Sequence, residues 1–171
     1  MTRLGTFALA AIALPFLGAV LPAGDEAGQQ KTLKEQLVGT WSYVSVDIIL
    51  SDGIRAPLFG PNPSGLVSFD ANGHYLLLTA RTDLPKFVGN SRTQGTAEEN
   101  KAVVQGSIAH FGTYTVDEAN KTISFHIQTS TFPNWNGVEQ KRPFTLTATE
   151  LKWTTAASSG GTAEVTLRRV N

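Results

Sequence analysis

Short runs in which apolar and polar residues alternate, each closed by Gly, Asn, Asp or Pro, fill this chain from Thr40 onward and leave few folds open to it. Ile123, Phe125 and Ile127 alternate with Ser124, His126 and Gln128, and Leu151 and Trp153 with Lys152 and Thr154. Val165 and Leu167 alternate with Glu164, Thr166 and Arg168. Successive side chains of a strand point to opposite faces, so period-two patterning marks strands with two unlike faces. Eight strands are predicted, at about 40–50, 64–70, 74–81, 108–117, 121–130, 142–149, 150–156 and 162–170. Two helices carry local signals. Thr96 with Glu99 is a capping box that predicts a helix over about 96–105 with Gly106 as its C′ residue, and Thr32 with Glu35 opens a second, short one that Gly39 ends.

The connections are lopsided. In an up-and-down order they alternate between the two ends of the sheet, which puts residues 51–63, 82–107, 131–141 and 157–161 at one end. The tight turns at 71–73 and 118–120 and the join near 149–150 fall at the other. Loops beyond about 12 residues are uncommon unless functional or disordered. The pattern therefore predicts an all-β fold: an eight-stranded up-and-down antiparallel barrel with one decorated mouth, a short N-terminal helix and one helix between strands three and four. An eight-stranded sandwich with unequal loops is the alternative.

The start of the chain reads as a separate object. Arg3 is its only early charge, residues 4–23 are apolar apart from Gly, Thr and Pro, and Asp25 and Glu26 follow in place of a basic stop-transfer flank. This predicts a secretory signal peptide over 1–23, a flexible segment over 24–31 and one domain over 32–171, exported to the periplasm or the extracellular medium, with no stable membrane span once the signal is removed. The absence of cysteine excludes disulfides, thiolate metal sites and a cysteine nucleophile. Fourteen basic residues balance fourteen acidic ones, which argues against a nucleic-acid partner, since phosphates are met by a basic field.

Several stretches carry a resemblance. Gly39, Thr40 and Trp41 open the first strand after a short helix, which looks like the Gly-x-Trp signature of lipocalins. Residues 65–73 (GLVSFDANG), Arg81, 111–117 (FGTYTVD) and 131–137 (TFPNWNG), followed by Gln140 and Arg142, are similar to the lipocalin-like domain family. The likeness runs over about residues 35–170 and implies a calycin-type eight-stranded barrel without naming a ligand. A geometric argument agrees with it. If the last strand closes against the first, Arg169 shares parity with Val165 and Leu167, points inward and stacks on the Trp41 indole, a desolvated pair worth about 2 kcal/mol. Lipocalins use a similar plug, so Trp41 and Arg169 are read as the structural closed end.

The candidate ligand-binding residues are those the strand directions bring toward the mouth. Arg81 ends the third strand on the face of Tyr75 and Leu77, His110 opens the fourth on the face of Tyr114, and Arg142 opens the sixth on the face of Phe144 and Leu146. An arginine in register with core residues must be paired, hydrated or placed for an anion. Arg81 and Arg142 either hold the anionic group of an otherwise apolar ligand or brace the mouth through carboxylates and loop carbonyls. His126 lies on the polar face of the fifth strand and is a ligand contact if that face lines the cavity, a surface residue if it does not. Trp135 and Phe59, with Phe87, are rim aromatics that act as a lid or cap the core. His74, His110 and His126 share no close spacing, so no metal is predicted, and no phosphate-cradling glycine loop or Gly-x-Ser-x-Gly elbow calls for a cofactor or a serine nucleophile. Asp47 and Asp83 have no evident partner carboxylate. The expected function is binding of a small, mainly apolar molecule, optionally anionic, in a barrel cavity. A cofactor-free isomerase or cyclase using the same cavity, and a filled barrel serving as an interaction module, are the competing readings.

Overall fold

The computed structural model describes residues 30–171, together with Met1, and the chain closes there into an antiparallel barrel. Its strands, numbered in chain order, are β1 (Gly39–Ile49), β2 (Arg55–Pro57), β3 (Ser64–Phe69), β4 (His74–Ala80), β5 (Ser107–Asp117), β6 (Thr122–Ser130), β7 (Glu139–Leu146), β8 (Glu150–Ala156) and β9 (Thr162–Arg169). Each of β3 to β9 pairs with its neighbour in sequence, and β9 closes on β1 from Trp41↔Arg169 to Ile49↔Thr162. The barrel has the eight predicted strands. The additional piece, β2, shares an edge of β1 with β3: β3 takes Gly39–Ser42 and β2 takes Asp47–Ile49. Three residues inside a long loop leave no periodicity, so β2 was not legible in the sequence. Apart from Met1, the predicted signal peptide over 1–23 lies outside the described residues, as does all but the end of the 24–31 segment. Among the described residues no helix is long and apolar enough to cross a membrane.

Both capping boxes form. Thr32 caps α1 (Leu33–Leu37) and Thr96 caps α2 (Ala97–Gly106), each side chain accepting from the N3 backbone while the N3 glutamate accepts from the cap residue's N–H. Gly106 is not a left-handed terminator. It is the last helical residue, and α2 runs straight into β5. A Cβ there would stand 2.6 Å from Leu84 Cδ2 and 3.2 Å from Arg81 Cδ, so close packing of the preceding loop, not backbone handedness, accounts for the glycine. The Glu99 carboxylate also accepts from Val88 N–H at 2.8 Å, and this bond with that from Thr96 N–H lowers its pKa. Loop 82–95 is thereby tied to the helix at the mouth.

Two local features bear on which side chains of β1 and β7 face inward. A bulge between Tyr43 and Ser45 of β1 switches parity, so Trp41 and Tyr43 point in below it and Val46 and Ile48 above. β7 begins at Glu139, three residues earlier than the 142 predicted, and ends at Leu146. Its inward positions Gln140 and Arg142 are polar, so the apolar alternation that marks a strand starts only at Phe144. Leu37, Trp41, Val67, Phe69, Tyr75, Ile123, Phe125, Leu151 and Leu167 pack into one buried cluster. At its base Arg169 lies over Trp41 with Cζ 4.1 Å from the ring centroid. Its Nε donates to Ala148 O at 2.9 Å, Nη1 to Val38 O at 3.0 Å and Nη2 to Gln36 O, while Trp41 Nε1 donates to Leu37 O at 2.9 Å. Gly39 makes room for this arrangement: its φ is +129°, and a Cβ would come 2.9 Å from Arg169 Nη1.

Candidate functional site

The half of the barrel beneath the long loops is a cavity of about 590 Å³. Its walls come from the mouth-side ends of the strands, including Val46, Leu77, Thr79, Ile108, Trp153 and Val165, and its rim from α2 and from the loops that carry Phe59, Trp135 and residues 157–159. Most of this lining is apolar or aromatic. Among the polar exceptions, His110 and the guanidinium of Arg142 are buried and lie side by side.

Arg142 is 3% exposed. Rooted opposite Ile123, it rises beside Phe125, with Cζ 4.3 Å from that ring centroid, and toward Trp153, at 5.4 Å. Its Nη2 donates to Gln140 Oε1 at 2.7 Å and approaches His110 Nε2 at 3.4 Å. Among the described residues no carboxylate pairs with it. Burial without a counter-charge lowers its pKa to about 10, opposed by the neighbouring Tyr43 and Tyr75, and it remains a cation at neutral pH. The earlier start of β7 places it on the floor of the cavity, not at the rim where the sequence put it.

His110 lies between Arg142 and Tyr75, whose Oη is 2.8 Å from Nδ1. An arginine N–H can only donate, so Nε2 accepts and the proton of the neutral ring sits on Nδ1, directed at Tyr75 Oη. Burial first, and the Arg142 charge second, lower the His110 pKa to about 3, which keeps the ring neutral and makes it a poor base. Its ring meets Trp135 edge-on at 5.8 Å, and Trp135 meets Phe132 likewise at 5.6 Å, so the rim aromatics rest on the polar floor group. Tyr43, half-buried on the cavity wall, feels the Arg142 charge, yet burial dominates and raises its pKa.

Of the residues singled out in the sequence, Arg142, His110, Trp135 and Phe59 line this one cavity. Arg81, Tyr114 and His126 do not. Arg81 follows the end of β4 and makes a two-point pair with Asp83, Nε at 2.8 Å and Nη2 at 2.7 Å, while its backbone N–H bonds Gly106 O at 2.8 Å. It braces the loop, as the alternative reading of the arginines had it. Tyr114 has the predicted inward parity but sits toward the closed end, donating to Asp70 O at 2.8 Å and packing edge-on against Phe69 at 4.9 Å. Burial, with Asp70 nearby, raises its pKa to about 12. His126 is exposed on the outer face, opposite Thr113 and Glu139. Phe87 packs over Gly95 and is not part of the lining. Sequence reading missed Tyr43, Thr79 and Trp153 as cavity groups and Gln140 as the hydrogen-bond partner of Arg142. Gln140 could have been found by extending the parity of Arg142 and Phe144 backward by two residues.

Three buried side-chain polar atoms among the described residues have no hydrogen-bond partner in the protein: Arg142 Nε, Thr79 Oγ1 and Trp153 Nε1. All three belong to cavity-lining residues. Buried polar groups are normally satisfied, and leaving one without a partner costs about 1–3 kcal/mol, so the walls of this cavity carry an uncompensated polar cost. No cluster of His, Asp or Glu among the described residues is arranged to hold a metal ion.

The family described as "lipocalin-like domain" matches residues 38–169. No curated protein matches the chain. Among solved structures, a lipocalin-like protein from Bacteroides uniformis ATCC 8492 is 14% identical, covering 79% of this chain and 99% of its own, with a TM-score of 0.45. A redesigned β-barrel is 18% identical, covering 83% and 98%, with a TM-score of 0.43, and a de novo designed fluorescence-activating β-barrel is 12% identical, covering 82% and 99%, with a TM-score of 0.43.

Proposed function

This chain belongs to the lipocalin-like domain family, and from that premise we propose that it binds a small, mainly apolar molecule in the barrel, with one electron-rich or anionic head set down at Arg142. The observation that carries the reading is a buried guanidinium with no paired carboxylate on the wall of a largely apolar cavity. A single buried cation among aromatic walls suits a ligand that brings apolar surface and one negative group, because desolvating an unpaired charge is costly and a partner in low dielectric offsets that cost. Phe59 and Phe132 close the rim around such a guest. Export belongs to the same proposal, with residues 1–23 removed on the way. The intact mass of the protein recovered from an expressing cell checks that point.

Native mass spectrometry of protein purified without refolding tests the binding. A reproducible bound mass that disappears in Arg142→Met is the expected result. A bare mass, with no rise in melting temperature across a panel of lipophilic acids and neutral analogues, would overturn the proposal, since a ligand at 100 times its Kd stabilises by about 2.7 kcal/mol.

A further inference from the structure

The donors around Arg142 restrict the head group further. Nη2 is committed to Gln140 and directed at His110, and Nε is sealed from solvent without a partner. Among the described residues this leaves Nη1 as the guanidinium nitrogen that meets the cavity. Carboxylates and phosphates are best recognised by an arginine through two parallel N–H bonds, and that fork is closed here. What faces the cavity is a single-point cation flanked by Tyr43, whose hydroxyl accepts and donates no hydrogen bond among the described residues. A phosphate dianion would also leave a net negative charge in the barrel. The geometry therefore suits one oxygen carrying a single, delocalised negative charge, which needs fewer donors than a localised one. Trp153 beside the cation, with Trp135 and Phe59 above, lines the same cavity and offers flat apolar faces to a conjugated ring system attached to that oxygen.

Resting on the ligand reading above, we propose that the cavity selects weakly acidic phenols or enols of flat conjugated molecules and holds them as oxyanions on Arg142 and Tyr43. On binding, the ligand O–H bond breaks heterolytically, the electron pair stays on the oxygen opposite Nη1, and the proton leaves to water. No redox change accompanies the step. His110 does not keep that proton, because in its buried setting beside Arg142 the ring stays neutral. The protein thus acts on the acid–base state of its guest, by the same electrostatics that stabilises an oxyanion in a water-excluded site.

Umbelliferone tests this, since its phenol and phenolate absorb at different wavelengths. Its methyl ether has no proton to lose, and a coumarin carboxylic acid supplies the competing head group. With wild-type protein the phenolate band should appear at a pH where the free dye is still protonated, the half-ionisation point falling by at least about one pH unit, equivalent to about tenfold tighter binding of the anion than of the phenol. The shift should vanish in Arg142→Met and be smaller in Tyr43→Phe, since one hydrogen bond to a charged group is removed. The ether reports whether the cavity of each variant remains open. Equal binding of umbelliferone and its ether with no phenolate band would overturn the inference while leaving the cavity reading intact, and so would tighter binding of the carboxylic acid. Failure of all three compounds to bind would remove the cavity reading, and the inference with it.

Discussion

Two arginines point into this barrel and lie on aromatic faces, one at each level, and they differ in what their N–H groups meet. Arg169 stands 4.1 Å from the Trp41 ring and gives Nε, Nη1 and Nη2 each a backbone carbonyl, from Ala148, Val38 and Gln36. Arg142 stands 4.3 Å from the Phe125 ring, finds Gln140 and His110 for one nitrogen, and leaves Nε without an acceptor. The first is a joint between the end of the last strand, the turn before β8 and the segment leading into β1. The second is a buried cation whose surroundings are incomplete. The same residue on the same kind of ring is fully bonded where the backbone surrounds it and is left with unused donors where a cavity does.

The contrast can be broken most forcefully at its base. Trp41→Ala should cost about 3–5 kcal/mol of unfolding free energy in urea, because a fully buried indole leaves a hole in the closed end. Arg142→Met at the cavity floor should instead be neutral or stabilising, since a buried charge without a counter-charge is replaced by an apolar chain of similar length. If the two variants were equally unstable, the division of labour between the two ends would fail. A smaller loss of about 2 kcal/mol is expected for Arg169→Met, which forfeits the stacked cation but leaves the indole in place.

A pH dependence sharpens the comparison. His110 has a folded pKa of about 3 against an ordinary value of 6.5, so below about 6.5 the unfolded chain binds a proton that the folded one refuses. Stability is then fully present above pH 6.5 and falls as the pH drops toward 3, by up to about 1.4 kcal/mol per pH unit from this residue. His110→Gln should flatten that part of the urea-midpoint curve. An unchanged slope would show that the ring is not buried neutral. The smallest effect is expected where Glu118 accepts from the N–H groups of Leu33 at 2.8 Å and Lys34 at 3.0 Å at the start of α1. Glu118→Gln should lower stability by about 0.5–1 kcal/mol, most visibly at low salt, because a carboxylate near a helix N-terminus is favoured by its partial charge.

The plug was legible from sequence because each of its terms is local or follows from closure. Glycine precedes Trp41, parity turns Arg169 inward, and an antiparallel closing pair puts the end of β9 beside the start of β1. The site was legible only in part. His110 and Trp135 were identified, but Tyr75, the hydrogen-bond partner of His110, depends on the β4–β5 register. Arg81 shared the parity of a cavity residue, yet its strand stops at Ala80 and Asp83 captures the side chain just beyond. Gln140 and Arg142 disguised the start of their own strand, since polar residues facing inward are what period-two reading treats as the absence of a strand. The sites a chain reserves for function are where its local patterns are weakest.

By itself, the sequence determined the eight barrel strands, the two capped helices, the end with long loops and the tryptophan–arginine joint. Alternation, capping and turn chemistry act over a few residues, and one closing pair follows from them. Only the tertiary structure decided which polar groups share the cavity. The bulge after Tyr43 depends on how β1 meets β9, and the depth of Arg142 depends on where β7 begins against β6. Whether a charge has a partner is settled by neighbours that approach through space. A one-residue change of register turns a cavity wall into an outer surface, and no spacing along the chain records which of the two was chosen.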